Sequence, residues 1–178
     1  MKPLLSDIVV AVTGSQASIL AAKYAIVMAR TYKCRLSVVY VVDTATIRQL
    51  TLSRIFIQEE SEEYEKSLIA NGERYLNFVE ELARVKGVKI NRAIRSGSVS
   101  TEILTAAEEI NADLIVLGGW EKDRNTRDVF YKLYREILIN AKCSVLLLKE
   151  PDVEHIYNNT LDISAEAPNE GNTYIPHI

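Results

Sequence analysis

Apolar residues along the chain are concentrated in five short runs, and longer segments of helical periodicity lie between them. The runs are rich in β-branched residues and leucine and do not alternate strictly with polar residues, which indicates strands buried on both faces. They cover residues 7–12, 35–42, 88–94, 113–118 and 144–150. Because strands and helices alternate along the chain, the pattern predicts an α/β fold with a parallel sheet and helices on both faces.

The segments between these runs carry apolar residues at three- and four-residue spacing, which is typical of amphipathic helices. Ser15 precedes the first helix and is expected to cap it. The second helix opens with acidic residues, which suit the positive end of a helix dipole, and Gly87 ends it. The predicted helices cover residues 15–32, 59–85, 100–110 and 126–140.

Two segments lack a clear period. Residues 44–58 are apolar enough to pack, and we interpret them as a partly ordered lid. Residues 151–178 hold five acidic residues and no Lys or Arg, which favours a tail that is disordered or packed against a partner, such as the other subunit of a dimer. The predicted organisation is one domain over residues 1–150 followed by this acidic tail.

Composition restricts the class of protein. The chain has 178 residues, of which 48% are apolar and 25% charged, as in a soluble globular domain. No apolar run approaches the roughly 20 residues that span a membrane, and Asp7 interrupts the first run, so we expect a cytoplasmic protein without a membrane partner. The net charge of −3 gives no strongly basic surface, so we expect no nucleic-acid partner.

Residues that could carry chemistry are scarce. Cys34 and Cys143 lie beside apolar runs and are expected to be buried thiols, while His155 and His177 both fall in the tail. Ser15 has no base near it in sequence. The sequence therefore predicts no metal site and no enzymatic activity.

Two turns are the candidate binding positions, because parallel sheets bind ligands outside the carboxyl ends of their strands. The first is "TGS" after the first strand, and the second is "GGWEKDR" after the fourth. Trp120 lies in the second turn, where it is expected to cover the sheet edge and could alternatively stack on a base.

Two blocks of sequence carry a family resemblance. "DIVVAVTGSQASILAAKYAIVMA" near the start and "RSGSVSTEILTAAEEINADLIVLGGW", followed later by "AKCSVLLL", resemble the universal stress protein family over about residues 5–150. The resemblance implies a Rossmann-like fold with a five-stranded parallel sheet in the order 3-2-1-4-5. It also implies a homodimer that pairs through the fifth strand, here Ser144 to Glu150.

The resemblance also brings in a motif: members of that family that bind ATP carry G-x2-G-x9-G-[ST] after the fourth strand. Glycines let backbone N–H groups approach phosphate oxygens. Counted from Gly118, the later positions of the motif hold Glu121, Tyr131 and Lys132, and counting back from "AKCSVLLL" gives the same register. Only the first glycine remains, so the resemblance implies the branch whose ATP-binding motif has degenerated.

Two further positions bear on nucleotide binding. The family's acidic residue after the first strand is replaced by Thr13, and Val41 matches a position that lines the adenine pocket in ATP-binding members. A valine at the end of a buried strand also has a purely structural explanation.

The sequence leaves two functions open. The first is a regulatory or interaction protein of the stress response, with unknown protein clients and no cofactor. The second is a nucleotide-binding protein, with ATP or AMP as the candidate ligand and side chains instead of glycines around the phosphates. Its site would comprise Thr13, Gly14, Val41, Gly118, Lys122 and Arg124. Acidic Asp123 and Asp128 interleave with the basic residues of that loop, as on an ordinary solvated surface, and Asn125 or Thr126 is expected to cap the helix after it.

Overall fold

The computed structural model describes residues 3–119 and 127–161, with the backbone alone described for residues 127–130. Within these residues the strands are β1 (Asp7–Val12), β2 (Arg35–Val42), β3 (Ile90–Ser96), β4 (Leu114–Gly118) and β5 (Ser144–Leu148). The helices are α1 (Gln16–Tyr32), α2 (Thr44–Leu52), α3 (Gln58–Val85), α4 (Val99–Glu109), α5 (Arg127–Asn140) and α6 (Val153–Asn159).

The strands form a parallel sheet in the order β3-β2-β1-β4-β5, which confirms the predicted topology. Val12, the last residue of β1, lies opposite Tyr40 of β2, and Val10 lies opposite Val116 of β4. Strand order therefore reverses at β1, and the carboxyl ends of β2, β1 and β4 lie side by side.

Both faces of the central strands β1 and β4 are buried, as the unbroken apolar runs indicate, whereas no residue of the edge strand β3 is buried. Ile8, Val10 and Val12 face a core formed with α1, α3 and α6. Val9 and Ala11 face a second core formed with α4 and α5. All six residues of β1 are buried, so the central strand has no solvent-facing side.

Residues 44–52 form helix α2, so the prediction that they are only partly ordered is wrong, while the prediction of a lid stays a prediction. The Asp43 carboxylate caps the helix by accepting a hydrogen bond from the Thr46 N–H at 3.0 Å, and Ile47 is buried. A short helix of this kind is stabilised by its cap and its packing, neither of which produces a strong sequence period.

Residues 153–159 form helix α6, which packs on the core of its own chain, so the prediction of a tail that is disordered or packed against a partner is wrong for this stretch. Val153 and Tyr157 lie one turn apart and are both buried. The Tyr157 hydroxyl donates to the Leu82 carbonyl at 2.8 Å, and Lys23 of α1 pairs with Glu154 at 2.6 Å. Residues 162–178 lie outside the described residues, and the prediction for them stays a prediction.

Other boundaries differ only slightly from those predicted. Strand β3 begins two residues later than expected, because Val88 still closes the end of α3 through its N–H to the Ala83 carbonyl at 2.9 Å. Ser15 caps α1 as predicted, with its side-chain oxygen accepting from the Ser18 N–H at 3.2 Å. No helix in the described part of the chain is long and apolar enough to cross a membrane.

Candidate functional site

The fold brings four of the candidate residues to one edge of the sheet. Thr13 and Gly14 follow β1, Val41 lies near the end of β2, and Gly118 ends β4. These three strands are neighbours, so residues more than 100 positions apart in sequence meet at the switch point. The other two candidates, Lys122 and Arg124, lie outside the described residues, as do Trp120, Glu121 and the expected cap at Asn125 or Thr126.

The turn after β1 is closed by its own polar groups. Gly14 has a φ of +84°, a conformation that other residues rarely adopt. The Thr13 hydroxyl donates to the Ser15 hydroxyl oxygen at 3.1 Å, and the Thr13 N–H donates to the Ser18 hydroxyl oxygen at 3.1 Å. With Ser15 also capping α1, the hydroxyl groups of Thr13 and Ser15 in this neutral turn already have partners within the turn and its helix.

An aromatic ring covers the same turn. A Cβ added to Gly14 would lie 2.3 Å from ring atoms of Tyr75, so the α3 tyrosine lies directly against this glycine. Tyr75 also stacks on Tyr40, with ring centroids 6.2 Å apart. Burial raises the pKa of Tyr40, and the nearby hydroxyls of Tyr75 and Tyr64 raise it further. In the sequence, Tyr75 is only one member of an apolar helix stripe, and nothing there places it over Gly14.

Gly118 has a packing role that accounts for the absence of a side chain. A Cβ at this position would lie 2.6 Å from the backbone of Ala17, so β4 and the start of α1 could not approach so closely. Its carbonyl oxygen accepts a hydrogen bond from the buried Tyr134 hydroxyl at 2.6 Å. Burial raises the pKa of Tyr134. The surviving glycine of the motif is therefore explained without a phosphate.

The last two positions of the motif lie inside a helix. Helix α5 begins at Arg127, which makes Tyr131 and Lys132 its fifth and sixth residues. Only the first four or so N–H groups of an α-helix lack an intrahelical partner. The N–H groups of residues 131 and 132 are therefore engaged in the helix, while the Tyr131 side chain is 63% exposed.

Val41 belongs to the core on the α4–α5 side. It is half-buried and packs against that core, which fits its structural explanation. Its neighbour in register on β3 is Arg95, which forms ion pairs with Glu102 at 2.8 Å and Glu109 at 2.9 Å. The guanidinium is thus already held by two carboxylates of α4.

The remaining chemical groups do not gather at this edge. Cys34 and Cys143 are free and half-buried, and burial raises the pKa of both thiols, as expected of unreactive cysteines. His155 lies on α6, where its ring contacts the Asn159 amide at 2.8 Å. Within residues 3–119 and 127–161, no group of three or more His, Cys, Asp or Glu residues could hold a metal ion.

A parallel sheet of order 3-2-1-4-5 with helices on both faces defines a Rossmann-like α/β protein. The chain belongs to the universal stress protein family, whose family model matches residues 5–149.

Known proteins agree with this assignment. A universal stress protein of Methanocaldococcus jannaschii is 33% identical over 151 residues, covering 85% of this chain and 86% of the relative. A universal stress protein family structure from Burkholderia pseudomallei is 25% identical with a TM-score of 0.66, covering 84% of this chain and 100% of that one. A universal stress protein from Archaeoglobus fulgidus, solved in complex with dAMP, is 19% identical with a TM-score of 0.58, covering 82% and 99% respectively.

Proposed function

We propose that this universal stress protein is a regulatory or interaction protein of the cytoplasmic stress response and does not bind ATP through the family's glycine motif. One observation carries the proposal: the positions that should present free backbone N–H groups to phosphate, Tyr131 and Lys132, are internal to α5. A phosphate there would meet helical backbone whose donors are already used. We propose no catalytic activity and no cofactor.

The test is calorimetric titration of the full chain with ATP and magnesium, after mass spectrometry has shown that no nucleotide was carried through purification. The Archaeoglobus fulgidus protein solved with dAMP, titrated with dAMP, is the positive control. We expect no heat of binding from this chain and a clear isotherm from the control. A micromolar isotherm from this chain would contradict the proposal.

The second candidate function is nucleotide binding with an altered phosphate grip. It is supported by the edge that joins Thr13, Val41 and Gly118, and by fold relatives solved with dAMP and with cAMP. Lys122 and Arg124 would then supply the phosphate contacts in place of glycines. If ATP binds, Lys122→Ala combined with Arg124→Ala should weaken it, whereas unchanged affinity would leave this grip without support.

We also propose a homodimer that pairs through β5. This strand ends the sheet, and within the described residues no strand pairs with its outer edge. Exposed apolar edges of this kind require cover. The Ser144 N–H donates to the Asp113 carbonyl at 3.2 Å, so Ser144 points toward β4 and the N–H of the next residue, Val145, points outward.

That geometry gives a test specific to the edge. Val145→Pro removes an outward N–H and leaves the bonds to β4 intact, while Val145→Ala shortens the side chain and keeps the N–H. We expect light scattering to show a dimer for the wild type and Val145→Ala, and a monomer for Val145→Pro. A wild-type monomer at micromolar concentration would refute the dimer.

A further inference from the structure

The junction between α2 and α3 exposes an unusual amount of apolar surface. We call residues 52–57 the tip. Leu52, Ile55 and Ile57 are 78%, 64% and 61% exposed, although they lie within six residues of one another. Apolar groups concentrated in this way commonly mark an interaction site.

The tip has a defined backbone. The N–H groups of Ile55 and Phe56 both donate to the Leu50 carbonyl, at 3.0 and 3.4 Å. The Phe56 ring packs edge-on against Tyr64 of α3, with centroids 5.7 Å apart. The exposed side chains are therefore presented by a turn that is fixed to both helices.

The tip lies on the side of the sheet opposite β5. Thr51 of α2 and Gln58 of α3 line one cleft together with Ser96 and Gly97 at the end of β3, and β3 is the edge strand farthest from β5. A partner could therefore reach the tip without meeting the β5 edge.

Charge around the tip is predominantly negative. Residues 43–66 contain six acidic and three basic residues, a net charge of −3, equal to that of the whole chain. Glu60 accepts from the Ile57 N–H, and Glu62 accepts from the Gln58 amide. The other carboxylates of these first turns, on Glu59, Glu63 and Glu65, have no hydrogen-bond or ion-pair partner among the described residues.

The cleft beside the tip lies between α2, α3 and the carboxyl end of β3. It has a volume of about 670 Å³, with the buried Ile47 at its base and Gln58, Ser61 and Glu65 along its α3 side. Because Arg48 lines the α2 side, the cleft itself carries both signs of charge.

We propose that the tip and the acidic first turns of α3 bind a basic amphipathic segment of a partner protein. Its apolar side chains would cover Leu52, Ile55 and Ile57, and its Lys or Arg residues would face Glu59, Glu63 and Glu65. The negative charge of the segment disfavours an anionic lipid surface. This inference rests on the proposed function, since it names the class of partner through which the protein would act.

The test uses a fluorescent amphipathic helix of leucine and lysine, and a matched peptide with glutamate in place of lysine, each titrated with the full chain. The tip variant is Leu52→Ser with Ile55→Ser and Ile57→Ser. The control is Leu138→Ser with Ile139→Ser on α5, whose side chains are 57% and 66% exposed. We expect the tip variant to bind the lysine peptide at least about tenfold more weakly, the control to bind it unchanged, and the glutamate peptide not to bind.

A second variant tests the charge term. Glu59→Gln, Glu63→Gln and Glu65→Gln together should weaken peptide binding and flatten its dependence on salt, because three carboxylates that would face the lysine side chains lose their charge. The proposal is overturned if the tip variant binds as well as the wild type or if both peptides bind equally. It is also overturned if the wild type binds phosphatidylglycerol vesicles but not the lysine peptide.

Two further outcomes separate this inference from the proposals before it. If the tip substitutions convert a dimer into a monomer, the tip is an interface between copies of this chain and the partner proposal is wrong. If the peptide fails to bind and ATP gives no heat, only this inference fails. If ATP binds, the proposed function fails whatever the peptide does.

Discussion

The turn after β1 and the α2–α3 tip lie at the same edge of the sheet, yet they differ in whether their polar groups have partners and their apolar groups are covered. In the turn, hydroxyl and N–H groups bond to one another, Gly14 is covered by Tyr75, and Gly118 packs on α1. In the tip, three large apolar side chains are more than half exposed and three carboxylates nearby lack partners among the described residues. At this edge, the exposed apolar groups and the unpartnered carboxylates among the described residues therefore lie at and beside the tip and not at the turn after β1.

The largest effect on stability should come from a substitution at Gly118, beside the turn after β1. Gly118→Ala places a methyl group 2.6 Å from the Ala17 backbone, which cannot rotate away. We expect a loss of about 1–3 kcal/mol in the free energy of unfolding, measured by urea denaturation. The control is Glu73→Ala at an exposed position of α3, which should change the free energy of unfolding by less than about 0.5 kcal/mol. Equal losses in both variants would contradict the close packing at Gly118.

Loss of the Tyr134 hydroxyl should lower the free energy of unfolding by less than Gly118→Ala does. Tyr134→Phe leaves the Gly118 carbonyl without its 2.6 Å partner in a buried position. We expect a destabilisation of about 1–2 kcal/mol by urea denaturation. The exposed Tyr131→Phe on the same helix should change stability by less than about 0.5 kcal/mol. A neutral Tyr134→Phe would show that the carbonyl is satisfied in another way.

Stability should also fall at high pH. Burial raises the pKa of Tyr134 and Tyr40 in the folded protein, so the unfolded chain loses these protons first. Their contribution is complete below about pH 10, the ordinary pKa of tyrosine, and is lost as pH rises through the folded value. Cys34 and Cys143 act in the same direction from a lower pH.

Urea midpoints measured from neutral pH upward should therefore decline, and Tyr134→Phe should decline less steeply than the wild type above pH 10. Parallel curves for the two proteins would show that Tyr134 does not contribute to the decline.

The smallest effect on stability should come from the tip. Ile55→Ser with Ile57→Ser changes side chains that are more than 60% exposed, so the free energy of unfolding should change by less than about 0.5 kcal/mol per substitution. Urea denaturation of the double variant checks this expectation. A loss of several kcal/mol would mean that the tip supports the fold and is not a free surface.

The sheet could be predicted because buried parallel strands leave long apolar runs, and the family resemblance supplied their order. The two short helices could not, since α2 depends on the Asp43 cap and α6 on two buried residues, Val153 and Tyr157. Neither helix is long enough to show a period of its own.

At the candidate site, the sequence predicted the edge of the sheet where the candidate residues meet. It did not predict that the glycines there are packed against other residues. A glycine that admits a phosphate and one that admits a neighbouring helix look the same in sequence, and only the structure shows that Gly118 is of the second kind. Likewise, the cover that Tyr75 gives to Gly14 depends on where α3 crosses the sheet. The exposure of the tip depends on how the junction between α2 and α3 packs.

The packing of helix α6 on α1 can form only late in the synthesis of the chain. The helix packs against α1, and the bond from Lys23 to Glu154 joins residues 131 positions apart. At about 5–20 residues per second, a ribosome needs roughly 7–26 s to make that interval of chain. For all of this time the nascent α1 lacks the cover that α6 gives it in the folded protein, and its apolar face stays open until α6 has emerged.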